Sequence, residues 1–314
     1  MRISGFSFAR NAQKLYYPVA EAVRSILPVC DEFFVAVGAG DEDDRTREEI
    51  EAIGDSRVHI IDTVWSDRER LKGKVHGQQT NVALEKCTGD WCFYIQADEV
   101  VHEDFLPRIV KRCGELLDDR EVEGLLFRYK HFWGDYTHYV VNHAWYPREI
   151  RIVRNGLGIR SWSSAQSFRR DGRKLRVAPV DAEVFHYGWV RPPRLMNKKR
   201  REFSTTHAGR DAAEALYARE PEEFDYGSLE KARVYTGSIP AVMKDRAARM
   251  DWGDKLQYSG RSPVRHKHDR LKYRLLTFVE QRLLGGKTHL ASKNYRLAAG
   301  KRGARKRGMV RGIF

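Results

Sequence analysis

Cysteine is scarce in this chain: Cys30, Cys87, Cys92 and Cys113 are the only four in 314 residues. None forms a C-x-x-C pair, and the 87/92 spacing has no nearby Cys or His partner set, so it makes a poor zinc site. Reduced, mostly buried thiols are expected, as suits a reducing compartment. Long apolar runs are missing as well: no stretch approaches the roughly 20 residues that a membrane span needs. At the N-terminus the charged Arg2 precedes a short apolar stretch broken at Arg10-Asn11, which is not the pattern of a signal peptide. A soluble, cytoplasmic protein is the expectation. The sequence also shows no internal repeat, no zinc-finger spacing and no RNA-binding aromatic motif.

What is present is a core-forming chain with a basic surplus. Hydrophobic residues make up 41%, and seven Trp, fourteen Tyr and fourteen Phe argue against disorder despite 32% charged residues. The net charge is +14, concentrated late in Lys198 to Arg201, Arg261 to Arg274, and a tail from Lys301 to Arg311. Such patches attract nucleic acid, anionic lipid head groups or phosphate-bearing substrates, so peripheral contact with an anionic membrane is one expectation.

Along the first hundred residues, strands alternate with helices. Residues 2–9, 33–37, 58–61 and 91–95 read as short apolar strands, and 11–27, 46–53 and 78–86 as helices by the spacing of their apolar positions. That alternation implies a parallel sheet with right-handed crossovers and a ligand site at the carboxyl ends of its strands. From about Glu123, segments 125–132, 136–142 and 149–154 alternate or carry aromatics, with Gly134-Asp135 as a turn, which extends the sheet in mixed or antiparallel fashion. After Pro192-Pro193 the composition turns helical and basic, with helices expected over 195–207, 211–218 and 270–284. The expected division is a domain over 1–190 and a helical, basic extension over 191–314.

The sharpest chemical feature is the strand Trp91 to Ile95, which runs into Gln96-Ala97-Asp98-Glu99. A hydrophobic strand that ends in two carboxylates puts hard oxygen ligands where an α/β fold binds its ligand, which suits Mg²⁺ or Mn²⁺ beside a diphosphate. The end of the first strand (Ala9, Arg10, Asn11) and the loop after the second (Gly38, Gly40, Asp41, Asp44) are expected to form a nucleotide pocket. Glycines there admit close backbone approach and a carboxylate can read a ribose or base. Gly38-Ala39-Gly40 is not a dinucleotide fingerprint, for it lacks a third glycine and follows the second strand. Lys72 and Lys74 are placed to meet a diphosphate. Trp162 to Gln166 form a polar-aromatic segment suited to a sugar.

Taken together, Phe8-Ala9-Arg10-Asn11, the helix start Gln78-Gln79-Thr80-Asn81, and Gly89-Asp90-Trp91 leading into Gln96 to Glu99 resemble glycosyltransferase family 2. The likeness covers roughly residues 2–190, and Phe224 to Gly227 fit a subfamily extension. The resemblance implies a GT-A-like, mostly parallel Rossmann-type sheet with a mixed extension, a nucleotide-diphosphate sugar donor, a divalent metal and inversion at the anomeric carbon. It gives the metal to Asp98, with Glu99 and with His186, which follows an apolar strand. It places Gln96 where the family carries an Asp for the ribose, so the site has one negative charge fewer. Ala97 and Asn81 join the cofactor-binding set. The acceptor is a glycan, a lipid-linked sugar or a protein, and its hydroxyl needs a base. Glu149, Asp135 and Asp181 are the candidates. His131, His138 and His143 lack compact ligand spacing and are assigned to aromatic strands. A nucleotidyltransferase and a basic polyanion-binding protein are the competing classes; the first is disfavoured because Phe8 to Asn11 is not glycine-rich.

Overall fold

A computed structural model describes residues 1–65, 74–218, 220–286 and 290–298. In chain order these form β1 (Ile3–Ala9), α1 (Val19–Ile26), β2 (Glu32–Gly38), α2 (Thr46–Glu51), β3 (Val58–Thr63), α3 (Lys74–Leu84), β4 (Trp91–Tyr94), β5 (Glu99–Val101) and α4 (Leu106–Glu115). Next come β6 (Gly124–Trp133), β7 (His138–Val140), β8 (Arg148–Arg154), β9 (Ile159–Trp162), β10 (Ser167–Arg170), β11 (Arg173–Lys174) and β12 (Arg176–Trp189). The rest comprises α5 (Pro193–Ala208), α6 (Arg210–Tyr217), β13 (Arg233–Val234), α7 (Lys244–Ala248), α8 (Leu271–Phe278) and β14 (Arg296–Leu297), with short turns between.

The main sheet runs β13-β7-β6-β8-β4-β1-β2-β3, and β12 lies along the other edge of β6. Strands β3, β2, β1 and β4 are parallel, whereas β8 runs against both β4 and β6. This is an α/β arrangement with a parallel leaf followed by a mixed extension. The continuous apolar run of β4 is explained by burial on both faces. Trp91, Phe93 and Ile95 pack with α1 and α4 residues such as Val23 and Ile109. Cys92 and Tyr94 point the other way, toward Ala83 and Leu84 of α3 and Phe168 of the small β9–β11 sheet. All four cysteines are free and buried.

The chain departs from the expected elements in three places. The helix expected over 11–27 begins only at Val19: Asn11 and Tyr16 have positive φ (52° and 62°), and Pro18, which lacks an N–H, stands at the cap. Helix α4 and the β9–β11 sheet are not among the expected elements, although Leu106, Ile109, Val110 and Cys113 give α4 helical spacing, and Leu106, Ile109 and Cys113 are buried. Beyond Tyr217 the expected helical character gives way largely to short turns, with α8 continuing as a π-turn over Val279–Leu283. That region packs on the sheet: Trp133 Nε1 donates to the Tyr226 carbonyl (3.0 Å) and Trp252 Nε1 to the Gly134 carbonyl (2.9 Å).

Candidate active site

A cavity of about 480 Å³ opens at the carboxyl ends of β1 and β4, where Ala9, Arg10, Gln96, Ala97 and Asp98 line it. Helix α5 forms the opposite wall through Met196, Lys199, Glu202 and Phe203. The crossing of β4 into β5 sets the central residues. β5 pairs antiparallel with β12 so that Glu99 stands opposite His186, and Tyr187 N donates to the Asp98 carbonyl (2.8 Å). Along β12, Phe185 and Tyr187 enter an aromatic core, which turns the alternate His186 toward the cavity.

Hydrogen bonds fix the state of that histidine. His131 Nε2 lies 2.7 Å from the Tyr146 carbonyl, which can only accept, so this nitrogen carries the proton. Burial, aided by His186, holds His131 at about 3, so the ring is neutral and its Nδ1 is bare. His186 Nδ1, 3.0 Å away, must therefore donate to it. Burial also brings His186 down to about 4, which leaves Nε2 as a free lone pair 3.7 Å from Asp98 Oδ2. Gly188 makes room for both: a Cβ there would stand 2.6 Å from His186 Nε2 and 2.8 Å from Asp98 Oδ2.

The same carboxylate holds an ammonium. Lys199 Nζ is 3.1 Å from Asp98 Oδ2 and 2.7 Å from the Gly188 carbonyl, and it lies over the Tyr17 ring. Burial, reinforced by Arg191, brings Lys199 down to about 7 against the pull of Asp98. Burial alone would raise the Asp98 carboxyl, yet Lys199, His186 and Arg191 hold it well below the ordinary carboxylate range. Asp98 and His186 thus offer two converging donors. Among the described residues there is no group of three or more His, Cys, Asp or Glu able to hold a metal.

Several expected site residues are engaged elsewhere. Glu99 is fully buried and paired with Arg151 through two hydrogen bonds (2.7 and 2.6 Å), and it accepts another from Tyr129 OH (2.8 Å). It anchors β4 and β5 to β8 and cannot also ligate an ion in the cavity. None of the three base candidates lines the cavity. Glu149 is buried beneath Ser167 Oγ (2.8 Å) and Asn294 Nδ2 (3.0 Å), and burial raises its pKa. Asp135 closes the turn after β6 by accepting from Thr137 N and His138 N. Asp181 is exposed and pairs with Arg108 (2.8 Å) and Arg128 (2.9 Å).

The nucleotide set divides likewise. Ala9, Arg10, Gln96 and Ala97 line the cavity, and Gln96 Nε2 donates to the Ala165 carbonyl (3.1 Å). Asn11 accepts from Asp41 N (2.9 Å), and Asp44 accepts from Thr46 Oγ1 (2.8 Å), so these residues clasp the β1 and β2 loops together. Gly40 is required by that clasp, since a Cβ would meet Asp44 Oδ2 at 2.6 Å. Gly38, Gly40, Asp41 and Asp44 line a separate recess of about 340 Å³. Asn81 accepts from Ser161 N (2.7 Å) and joins α3 to β9. Lys74 is exposed at the start of α3 and does not line the cavity; Lys72 lies outside the described residues.

Residues not expected from the sequence build the cavity's outer end. Phe8, His76 and Phe203 form a near-parallel stack, with ring centroids 5.6 and 6.3 Å apart, and Trp65 meets His76 edge-on. Burial lowers His76 to about 4, so this wall is aromatic and neutral. Arg10 stands over Trp65 and bonds Glu202 (2.6 Å). The signal for Lys199 and Phe203 was available in the basic segment Lys198 to Phe203, but as a helix face rather than as a charge run.

No family model and no curated protein matches the chain. Solved structures resemble it in part. S. aureus TarS, residues 1–349, is 16% identical over 66% of this chain and 65% of that one, with TM-score 0.38. A longer S. aureus TarS structure is 16% identical over 71% and 41%, with TM-score 0.39. Glucosyl-3-phosphoglycerate synthase from Mycobacterium tuberculosis, solved with Mn²⁺, UDP and phosphoglyceric acid, is 20% identical over 41% and 43%, with TM-score 0.28. This chain spans less than two thirds of each of these three. Likenesses so partial assign neither family nor activity.

Proposed function

We propose that this chain is a glycosyltransferase that moves a sugar from a nucleotide-diphosphate sugar to an acceptor hydroxyl, with inversion and with Mn²⁺ or Mg²⁺ held by Asp98 and His186. The observation that carries this reading is the convergence of an ionised Asp98 and a bare His186 Nε2 on the space left by Gly188, at the carboxyl end of β4. Two protein donors fit a hard ion whose remaining positions are filled by diphosphate oxygens and water. Bound there, the ion would neutralise charge on the departing diphosphate.

The chain's own residues do the rest. Phe8, His76 and Phe203 offer ring faces for a nucleobase, and Gln96 offers an amide for ribose hydroxyls. Lys199 brings a positive charge beside Asp98, where the diphosphate's negative charge grows as the anomeric C–O bond breaks. The acceptor oxygen forms its bond to the anomeric carbon from the opposite face. The bonding pair leaves with the diphosphate, and the hydroxyl proton passes to a base.

The test is calorimetry of a nucleoside-diphosphate panel with and without Mn²⁺ on the wild type and Asp98→Asn. One nucleotide bound, strengthened by Mn²⁺ only in the wild type, is the expected result. No nucleotide bound in either state removes the donor site. Inversion is read from the anomeric configuration of the product by NMR.

A further inference from the structure

A second cavity, of about 640 Å³, adjoins the first: Tyr146, Gln166 and Trp189 line both. Its walls are three indoles and three imidazoles, from Trp133, Trp145, Trp189, His143, His266 and His268. The indoles come from β6, the loop before β8 and the end of β12; His143 comes from the same loop, and His266 and His268 from the chain beyond residue 260. Trp133 and Trp189 are stacked, with centroids 4.8 Å apart, and Trp145 stands across both near the perpendicular. The polar rim is made by Gln166, Ser292, Asn294 and Lys267, and no carboxylate is among the described lining residues.

We propose that this cavity is the acceptor site and that it takes a saccharide. The inference rests on the donor reading above and adds the acceptor's class to it. Aromatic faces pack against the C–H face of a pyranose, and a volume of several hundred Å³ suits one or two rings. The Gln166 amide and the Ser292 hydroxyl on the rim both donate and accept, as sugar hydroxyls do. A purely apolar acceptor would leave that rim desolvated and unpaired. The shared wall at Tyr146, Gln166 and Trp189 is where the acceptor hydroxyl meets the donor.

A glycan array, read with the full-length protein and Mn²⁺ in the presence and absence of the nucleotide found by calorimetry, tests this. Binding to at least one glycan class is expected. Trp145→Leu, which keeps an apolar side chain and removes the ring face, should weaken it about five-fold. Ser292→Trp, which fills the cavity from its exposed rim, should abolish glycan binding while nucleotide binding is unchanged. Nucleotide binding also reports that each variant is folded. Intact nucleotide binding with no glycan bound, or glycan binding indifferent to both substitutions, overturns the acceptor assignment and leaves the donor reading standing. Failure of nucleotide binding in the wild type overturns the donor reading, and this assignment with it.

Discussion

At the scale of single residues, two neighbours in sequence have opposite fates. Asp98 faces the cavity, whereas Glu99 is sealed against Arg151. Removing one partner of a fully buried ion pair leaves the other charge uncompensated, at a cost of about 3–5 kcal/mol. Glu99→Gln should therefore lower the unfolding free energy by about that amount in urea titrations; Asp98→Asn, which takes the partner from Lys199, should also lose stability and, unlike Glu99→Gln, should abolish metal-dependent nucleotide binding. Gly188→Ala is the complementary change. Its methyl group would crowd both His186 Nε2 and Asp98 Oδ2, so the enhancement of nucleotide binding by Mn²⁺ should vanish while the fold persists. His131→Phe keeps the ring but frees His186 to turn. Loss of such an outer partner weakens metal binding by about 10-fold or more, measurable by Mn²⁺ titration.

At the scale of elements, α5 is the part on which the site most depends, because it delivers Lys199 and Phe203 to one wall. Lys199→Met should lower kcat by about 10²-fold or more, with a smaller effect on nucleotide affinity, if its charge acts chiefly as the diphosphate departs. The junction of β6 with β10–β12 makes a different prediction. Burial would raise the Glu123 carboxyl, but hydrogen bonds from Arg173, the Arg176 N–H and Arg170 lower it from 4.5 to about 2. A depressed carboxyl contributes stability that is present above pH 4.5 and lost as pH falls toward 2. Acid unfolding followed by circular dichroism should show that loss in the wild type, and Glu123→Gln should be less stable at neutral pH with a flatter profile through this window.

At the scale of the whole molecule, the C-terminal region is bound into the sheet at several points. Trp252, Tyr226 and Leu229 share a core with Phe132, Trp133 and Tyr187, and β13 and β14 pair with β7 and β12. A chain cut after residue 190 exposes that aromatic core. It should lack the near-ultraviolet dichroism of packed aromatic rings and a cooperative thermal transition. The basic surplus is also partly internal: Lys199 faces Asp98, and Arg200 pairs with Glu220 (2.7 Å) and lies over the Tyr217 and Phe224 rings. No described helix is long and apolar enough to cross a membrane.

The sequence by itself determined the parallel leaf, because strands such as Trp91 to Tyr94 must be covered on both faces and announce it by unbroken apolar runs. It also placed Asp98 at a strand end, where open α/β sheets bind ligands. It could not tell which carboxylates would be left facing the cavity. Glu99, Glu149, Asp135 and Asp181 are chemically as suitable as Asp98, and only packing shows that each is already engaged by an arginine, an amide, a hydroxyl or backbone N–H groups. His131 lacked ligand spacing because spacing along the chain is blind to register: it meets His186 through the parallel pairing of β6 with β12. The three indoles of the second cavity come together from separate segments, and Lys199 reaches Asp98 across 101 positions of the chain. Local pattern fixes secondary structure and strand ends; long-range pairing decides which side chains share a cavity, and that was settled only by the tertiary fold.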